Sequence, residues 1–577
     1  MTRRRLMFAL CAAVLLLTAC TGVPQTSSPQ VVRPVNVGTP TSPTVNSPAL
    51  NADPRTMVVD FLSANALVDD NHATARGFLT ADATSRWSDD TVSVVDSLQV
   101  GNFRDGAITA RGRKLGTVSA SGIYTPVLEG DGTGGVVEPF SFRMKKVDGQ
   151  WRIDALASGL ILKSGEFQTL YQQRKVFFYD RTERHLVPDP RFTALSDPGR
   201  LAKWLLGQLI AGPRPQLQAA WTPELPAQSD PRQVSVVLGS PTTIEVPGAS
   251  RLSSGTRDRL AAQLALTLDQ VVPGSRMSIL DNGQPVSVSL AGTRFTASEF
   301  SSAVSPANSS PALFYIRSGA VVDAAGRPLR GQLGTGQDHL SAVALASQPG
   351  SEDLLAAGTT GPVTNARLLV GTENTGLRET TLRGFLSRPT WAPNLDEVWI
   401  GNGSQVYRVT GTDPPAEVPV AGAGPVTGRV RALRFSPEGS RVAMVLDARD
   451  GDSAQVWVGS VVRTPGQSQV RIDSLEPITP QGIVVTDVAW NDQLKLFVIG
   501  RVLSGNSDNN VYEVQVDGSL WTPRQVINLP GSPDSITVSE NVPAWVSVDG
   551  TVWTQTGGSW SNPGDKTTIG NNPTYLE

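Results

Sequence analysis

A repeat running through residues 305–577 constrains the fold more than any other feature of the chain. Its best copy is Leu433-Arg434-Phe435-Ser436-Pro437-Glu438-Gly439-Ser440-Arg441-Val442-Ala443: an apolar approach, a turn, and an apolar strand. Pro presets φ for such a turn and Gly relaxes its exit. Degenerate copies start at Ala346, Trp391, Trp490 and Val538, which with Phe435 gives spacings of 45, 44, 55 and 48 residues. A second signature, an apolar–aromatic strand, falls at Phe314-Tyr315, Val406-Tyr407, Val456-Trp457, Val511-Tyr512 and Val552-Trp553, with Leu368-Leu369 as an apolar copy. Several strands per unit at a period of about 45–50 residues mark a β-propeller. A plain β-sandwich does not sustain such a period. Six strand signatures against five turn signatures predict about six blades, one of them shared. The strand at 313–318 lacks a turn copy before it, and 558–577 lacks a strand copy after it. Joining those ends completes a blade and hides two edges.

Two α+β bodies precede the repeat. Residues 53–162 open with Asp53-Pro54, a cap and first-turn pair. Val58, Val59, Phe61, Leu62, Ala66 and Leu67 then recur at helical spacing. Short helices are expected at Ala73–Phe78 and Ala81–Trp87, and strands at Ser93–Val95, Gly106–Arg111, Leu115–Tyr124, Val136–Val147 and Trp151–Leu156. Asp148-Gly149 between alternating segments signals a hairpin. This order resembles the NTF2-like (cystatin-like cone) fold. Residues 165–300 carry strands at Val176–Tyr179 and His185–Val187, then a helix Pro198–Ala211 capped by Asp197, with Leu201, Trp204, Leu205 and Leu209 on one face. Strands at Val234–Leu238 and Thr243–Val246 follow. A second helix carries Leu260, Leu264, Leu268 and Val271, and strands are expected at Met277–Leu280 and Pro285–Leu290. This body is similar to the GerMN domain, which implies a non-catalytic interaction module.

The N-terminus sets the compartment. Arg3, Arg4 and Arg5 precede a continuous apolar run, Leu6–Leu17, too short to cross a bilayer and of signal-peptide length. Leu17-Thr18-Ala19-Cys20 follows directly and resembles the bacterial lipobox. That resemblance implies removal of residues 1–19 between Ala19 and Cys20, and attachment of diacylglycerol and palmitate-type chains to Cys20. Several acyl chains anchor stably where one does not. Residues 20–52 are rich in Pro, Ser and Thr, without an aromatic residue, and cannot bury a core. They are expected to form a spacer that holds the body off the extracytoplasmic face of the plasma membrane.

Composition narrows the chemistry. There are two Cys, Cys11 and Cys20, and three widely separated His, His72, His185 and His339, so Cys-based catalysis, zinc sites and H-E-x-x-H chemistry are not expected. Net charge is −3 and carries no basic nucleic-acid footprint. Gly130, Gly132 and Gly135 match G-x-G-x-x-G, but a strand follows where a dinucleotide fold needs a helix. Asp447–Asp452 is acidic but lacks the twelfth-position acid of a calcium loop. Most of the 12 Trp fall on blade strands and read as core. No cofactor, metal or catalytic residue is assigned.

Lipobox, tether, cone, GerMN domain and propeller, in that order, resemble the actinobacterial LpqB family of lipoproteins. The features that carry the likeness are Leu17–Cys20, the 201–213 helix and the 433–441 turn, the last also similar to TolB-type blades. The resemblance implies an extracytoplasmic lipoprotein that binds the MtrB sensor kinase of the MtrA–MtrB two-component system and influences cell-wall homeostasis and division. Two alternatives stay open. An envelope glycan-binding scaffold would expose Trp or Tyr in a groove. A propeller hydrolase would gather acids on the ring axis.

Overall fold

Asp53 opens the first helix, Pro54–Ala64, by accepting the N–H groups of Arg55 and Thr56 at 2.9 and 3.1 Å. The computed structural model describes residues 47–577, apart from 69, 129–135, 227–231, 305–310, 349, 412, 423–427, 448–452, 465–468, 481, 504–507, 525–527 and 564–567. Cys20, Ala19, residues 20–46 of the tether, the G-x-G-x-x-G match and residues 448–452 of the acidic run lie outside the described residues. The helix buries Met57, Val58, Phe61 and Leu62 against a curved sheet. Phe61 meets Phe142 and Trp87 edge-on, with centroids 5.9 and 5.8 Å apart. The sheet order is Gln150–Ala155, Val136–Val147, Ala107–Val118, Val92–Val100, Leu160–Lys163, with the last strand parallel to its neighbour.

Two expected strands, 106–111 and 115–124, are one strand, Ala107–Val118, plus the short Tyr124–Pro126. Gly112, between the two expected strands, is strand interior pressed against Leu98. Gly116 is needed for a close approach: a Cβ there would lie 2.2 Å from the Tyr124 hydroxyl. The Asp148-Gly149 hairpin forms, with φ of 51° and 79°.

In the second body, Gln172–Asp180 pairs with Leu186–Thr193, and a second sheet runs Ser235–Val237, Thr242–Glu245, Met277–Asp281, Gln284–Pro285. Helix Pro198–Ala211 is capped by Asp197 and helix Ser254–Leu268 by Ser253. The first buries Leu201, Leu205, Leu206 and Leu209. Trp204, expected on that stripe, is half-buried: it packs against the same core and also lines the cleft toward the first body. The expected strand 285–290 reduces to Gln284–Pro285, because Val288 turns back on Gly292 in a tight loop.

The third body is the propeller. Among the described residues six sheets lie in 313–575. The turn signatures fall in the hairpin joining the two innermost strands of blades two to six, which begin at Leu340, Thr390, Val430, Ile483 and Ser535. In the best copy Gly439, at φ 73°, donates to Ser436 O at 2.8 Å, and Ser436 N–H meets Arg441 O at 3.0 Å. The ring closes as expected: Asn571–Tyr575 pairs with Leu313–Arg317, Leu313 opposite Tyr575. The C-terminal strand is innermost, packed between Leu340–Ser347 and Ser535–Thr537. Phe314-Tyr315 therefore sits on the second strand of its blade, whereas the other copies of that signature sit on the third. Ser47–Glu577 forms one compact unit.

Candidate functional site

Two cavities collect the buried charge. One lies on the propeller axis, and each innermost strand contributes to it: Ala346, Trp391, Phe435, Trp490, Thr537 and Tyr575. Its volume is about 320 Å³. Arg388, Arg434 and Glu577 line it, and Asp487 stands 3.9 Å from Arg434. Arg388 donates from Nη2 to Pro573 O at 2.7 Å, and Arg434 from Nη1 to Leu433 O at 2.7 Å. Asp487 Oδ2 accepts the Ile536 N–H at 3.0 Å, and Glu577 accepts from Trp391 N–H and the Thr390 hydroxyl. Burial, then the like charge of Arg434, pushes the Arg388 guanidinium down to about 10, against the pull of Asp487 and Glu577. Burial raises the Glu577 carboxyl, with Arg434 opposing. These acids do reach the axis, but each is held by backbone N–H groups and faces a guanidinium.

The second cavity, about 300 Å³, lies where the three bodies meet and is lined by Tyr124, Arg214, Trp221, Arg441, Glu476 and Asp517, among others. Asp189 is fully buried and takes Arg191 Nη2, Arg214 Nε and Arg214 N–H at 2.8, 2.8 and 3.0 Å. Arg441 lies 2.9 Å from Glu438 and is placed over the rings of Trp221 and Trp490, 5.6 and 5.4 Å from their centroids. Burial raises the carboxyls of Glu476 and Asp517, with Arg214 opposing both. Ser474 Oγ bonds Gln216 O, and Gln493 bonds Leu186 O and Val304 O, so the blades are tied to the second body.

The histidines do not converge. His72, at φ 44°, lines a cleft against the second body, with Nε2 3.8 Å from Asp89 Oδ2. No hydrogen bond or ion pair among the described residues links any two of the three. No group of three His, Cys, Asp or Glu among the described residues could hold a metal ion. Asp447 pairs with Arg431, as a blade residue does. Serine–carboxylate pairs occur at Ser88–Asp90, Ser250–Asp281, Ser440–Glu438 and Ser547–Asp534, and none of these four includes a histidine. Trp221, Trp391, Trp399 and Trp560 are core.

The axial charges were missed in the sequence. Their one local signal is a charge inside an apolar inner strand, Arg434 in Val430–Phe435 and Asp487 in Ile483–Trp490.

Residues 47–168 match the family described as the N-terminal domain of lipoprotein LpqB, 175–287 match that described as sporulation and spore germination (Germane), and 317–575 match the lipoprotein LpqB beta-propeller domain. Lipoprotein LpqB of Rhodococcus opacus is 27% identical over 554 residues, which covers 90% of this chain and 88% of that one. The Mycolicibacterium smegmatis lipoprotein LpqB is 29% identical over 487 residues, covering 78% and 79%. Among solved structures, TolB from Acinetobacter baumannii is 12% identical with a TM-score of 0.33, covering 53% of this chain and 84% of that one. With three domains matched in the order read from the sequence, and relatives matched over most of their length, this chain belongs to the LpqB family of lipoproteins.

Proposed function

We propose that the protein is a lipid-anchored, extracytoplasmic binding protein that acts without chemistry by docking on the outer domain of a sensor kinase. By family resemblance that kinase is MtrB of the MtrA–MtrB system, and the consequence is control of cell-wall homeostasis and division. The observation that carries this reading is how the convergent charges are used: at the junction they hold each other and on the axis they hold backbone groups, rather than flanking an exposed nucleophile. A rigid ring whose turns vary freely suits recognition. No helix among the described residues is long and apolar enough to cross a membrane, and the lipobox Cys20 would supply the anchor. Confinement to the membrane beside the kinase raises the effective concentration, so weak intrinsic affinity suffices.

The test is binding of the full-length lipoprotein, in mild detergent, to the isolated kinase ectodomain. Saturable association in the micromolar range is expected. No association at high micromolar concentration, together with turnover of an envelope glycan or peptide, would replace this reading by the hydrolase. Cys20→Ser should release the protein from the membrane fraction; a variant that stays wholly membrane-bound contradicts lipidation. One feature favours the glycan scaffold as a second reading. Phe103 is 38% exposed and meets Trp151 edge-on at 5.2 Å, with Lys146 over the Trp151 ring.

A further inference from the structure

The axial cavity gathers two buried guanidiniums, neither of which meets a carboxylate at hydrogen-bond distance. Arg434 is 7% exposed, and its Nη2 has no hydrogen-bond partner. Asp487 Oδ1 stands 3.9 Å from it, beyond hydrogen-bond reach. Arg388 Nη1 is likewise buried without a partner. Both residues line the cavity. Burying a guanidinium nitrogen with nothing to donate to is unfavourable, and two such nitrogens from adjacent blades share one space.

The lining of the same cavity holds an example of the missing partner. Glu577 reaches in from the extended segment that follows Asn571–Tyr575, and its carboxylate is held by Trp391 N–H and the Thr390 hydroxyl. A glutamate side chain beside apolar rings is thus a chemistry this cavity already accepts. A guanidinium presents its N–H groups as a planar fork that matches a carboxylate. Trp391, Phe435 and Trp490 offer apolar walls for flanking side chains. Glu540 on the rim is exposed, so its opposing charge is screened by solvent and salt. A cavity of about 320 Å³ admits a side chain and its neighbours, not a folded domain.

We propose that the axial cavity binds the carboxylate of an acidic, apolar-flanked peptide segment, seated on Arg388 and Arg434. This deepens the docking reading, on which it rests, by naming the chemistry of the partner's contact. The probe is an acetylated, amidated tripeptide with a central glutamate between two leucines. It is titrated into the full-length protein in mild detergent, followed by tryptophan fluorescence and calorimetry. Saturable binding is expected, weakened at least tenfold when glutamine replaces the glutamate, and lost in Arg388→Gln. Arg434→Lys keeps the charge but not the fork, and should lose several-fold with its melting temperature unchanged. Equal affinity for the glutamate and glutamine peptides, no binding at millimolar peptide, or competition by inorganic phosphate as strong as by the peptide would each overturn the proposal. Kinase-ectodomain binding is measured on the same variants. If it survives in Arg388→Gln after peptide binding is lost, the docking reading stands and the axial seat is not its contact. If wild type binds the peptide but not the ectodomain, the docking reading falls and the seat stands.

Discussion

The two cavities are nearly equal in size, about 320 and 300 Å³, and both combine guanidiniums with acids, yet the charges are used differently. At the three-body junction Arg191, Arg214 and Arg441 each lie within 3 Å of a carboxylate oxygen. On the axis neither Arg388 nor Arg434 does; each keeps an unpartnered nitrogen, as Arg191 also does, but without a carboxylate to hold the rest of the group. A paired buried charge fixes how elements sit, since removing one partner strands the other. An under-paired one keeps capacity for something that arrives later. The same residue types therefore act as mortar in one place and as a vacancy for a ligand in the other.

The largest effect should come from breaking the ring that creates the axis. Deleting residues 571–577 removes the innermost strand of the first blade and the buried Thr574 and Tyr575. Loss of a buried aromatic alone costs about 3–5 kcal/mol, and at ~2–4 °C per kcal/mol the propeller should melt about 10 °C or more lower. Calorimetry showing an unchanged transition would remove the basis for an axial cavity. Next is the junction. Asp189→Ala strands Arg191 and Arg214 and should cost about 3–5 kcal/mol, read by urea unfolding. The axis should respond weakly: Arg434→Met should shift stability by no more than about 1 kcal/mol, since replacing an under-paired buried cation with an apolar side chain is often neutral or stabilising. A large loss there would erase the contrast between the two cavities.

The smallest expected effect depends on pH. Burial raises the Asp517 carboxyl above its ordinary value of 3.8 despite Arg214. A raised carboxyl binds its proton more tightly in the folded state, so ionisation opposes folding above the raised value and not below the unfolded one. Asp517→Asn, which keeps the bond to Ser519 N–H, should therefore stabilise near neutral pH, with the gain fading as pH falls toward 4. Thermal melts of both proteins across that range would show it. A gain that grows on acidification would mean that Arg214, not burial, dominates.

What could be read from the sequence was what depends on neighbours along the chain. The Pro437–Gly439 turn, the Asp53 and Asp197 caps and the Asp148-Gly149 hairpin each encode their own geometry within a few residues, and each forms where it was expected. The closing of 313–317 on 571–575 followed from counting unmatched signatures. Strand Leu160–Lys163 and helix Ser164–Leu170 were not foreseen, because four and seven residues are too few to establish a period. Trp204 packs on its own core as its spacing predicts, but spacing could not show that its ring also lines the cleft toward the first body. The axial cluster lay further out of reach. Arg388, Arg434, Asp487 and Glu577 come from different blades and meet only because the ring brings their strands to one axis.

The closing strand also has a meaning in time. Leu313 waits for Tyr575, the far end of a long stretch of chain. At ~5–20 residues per second of synthesis, the interval is about 13–50 s. The first two bodies can bury their cores while it passes, but through that interval the Leu313–Arg317 edge has no inner partner and is open to pairing with any other strand it meets. Closure over so long a separation also carries a loop-entropy cost that shorter hairpins avoid. The ring is thus the last part of the molecule to mature, and a chain interrupted late in synthesis is left with an open blade.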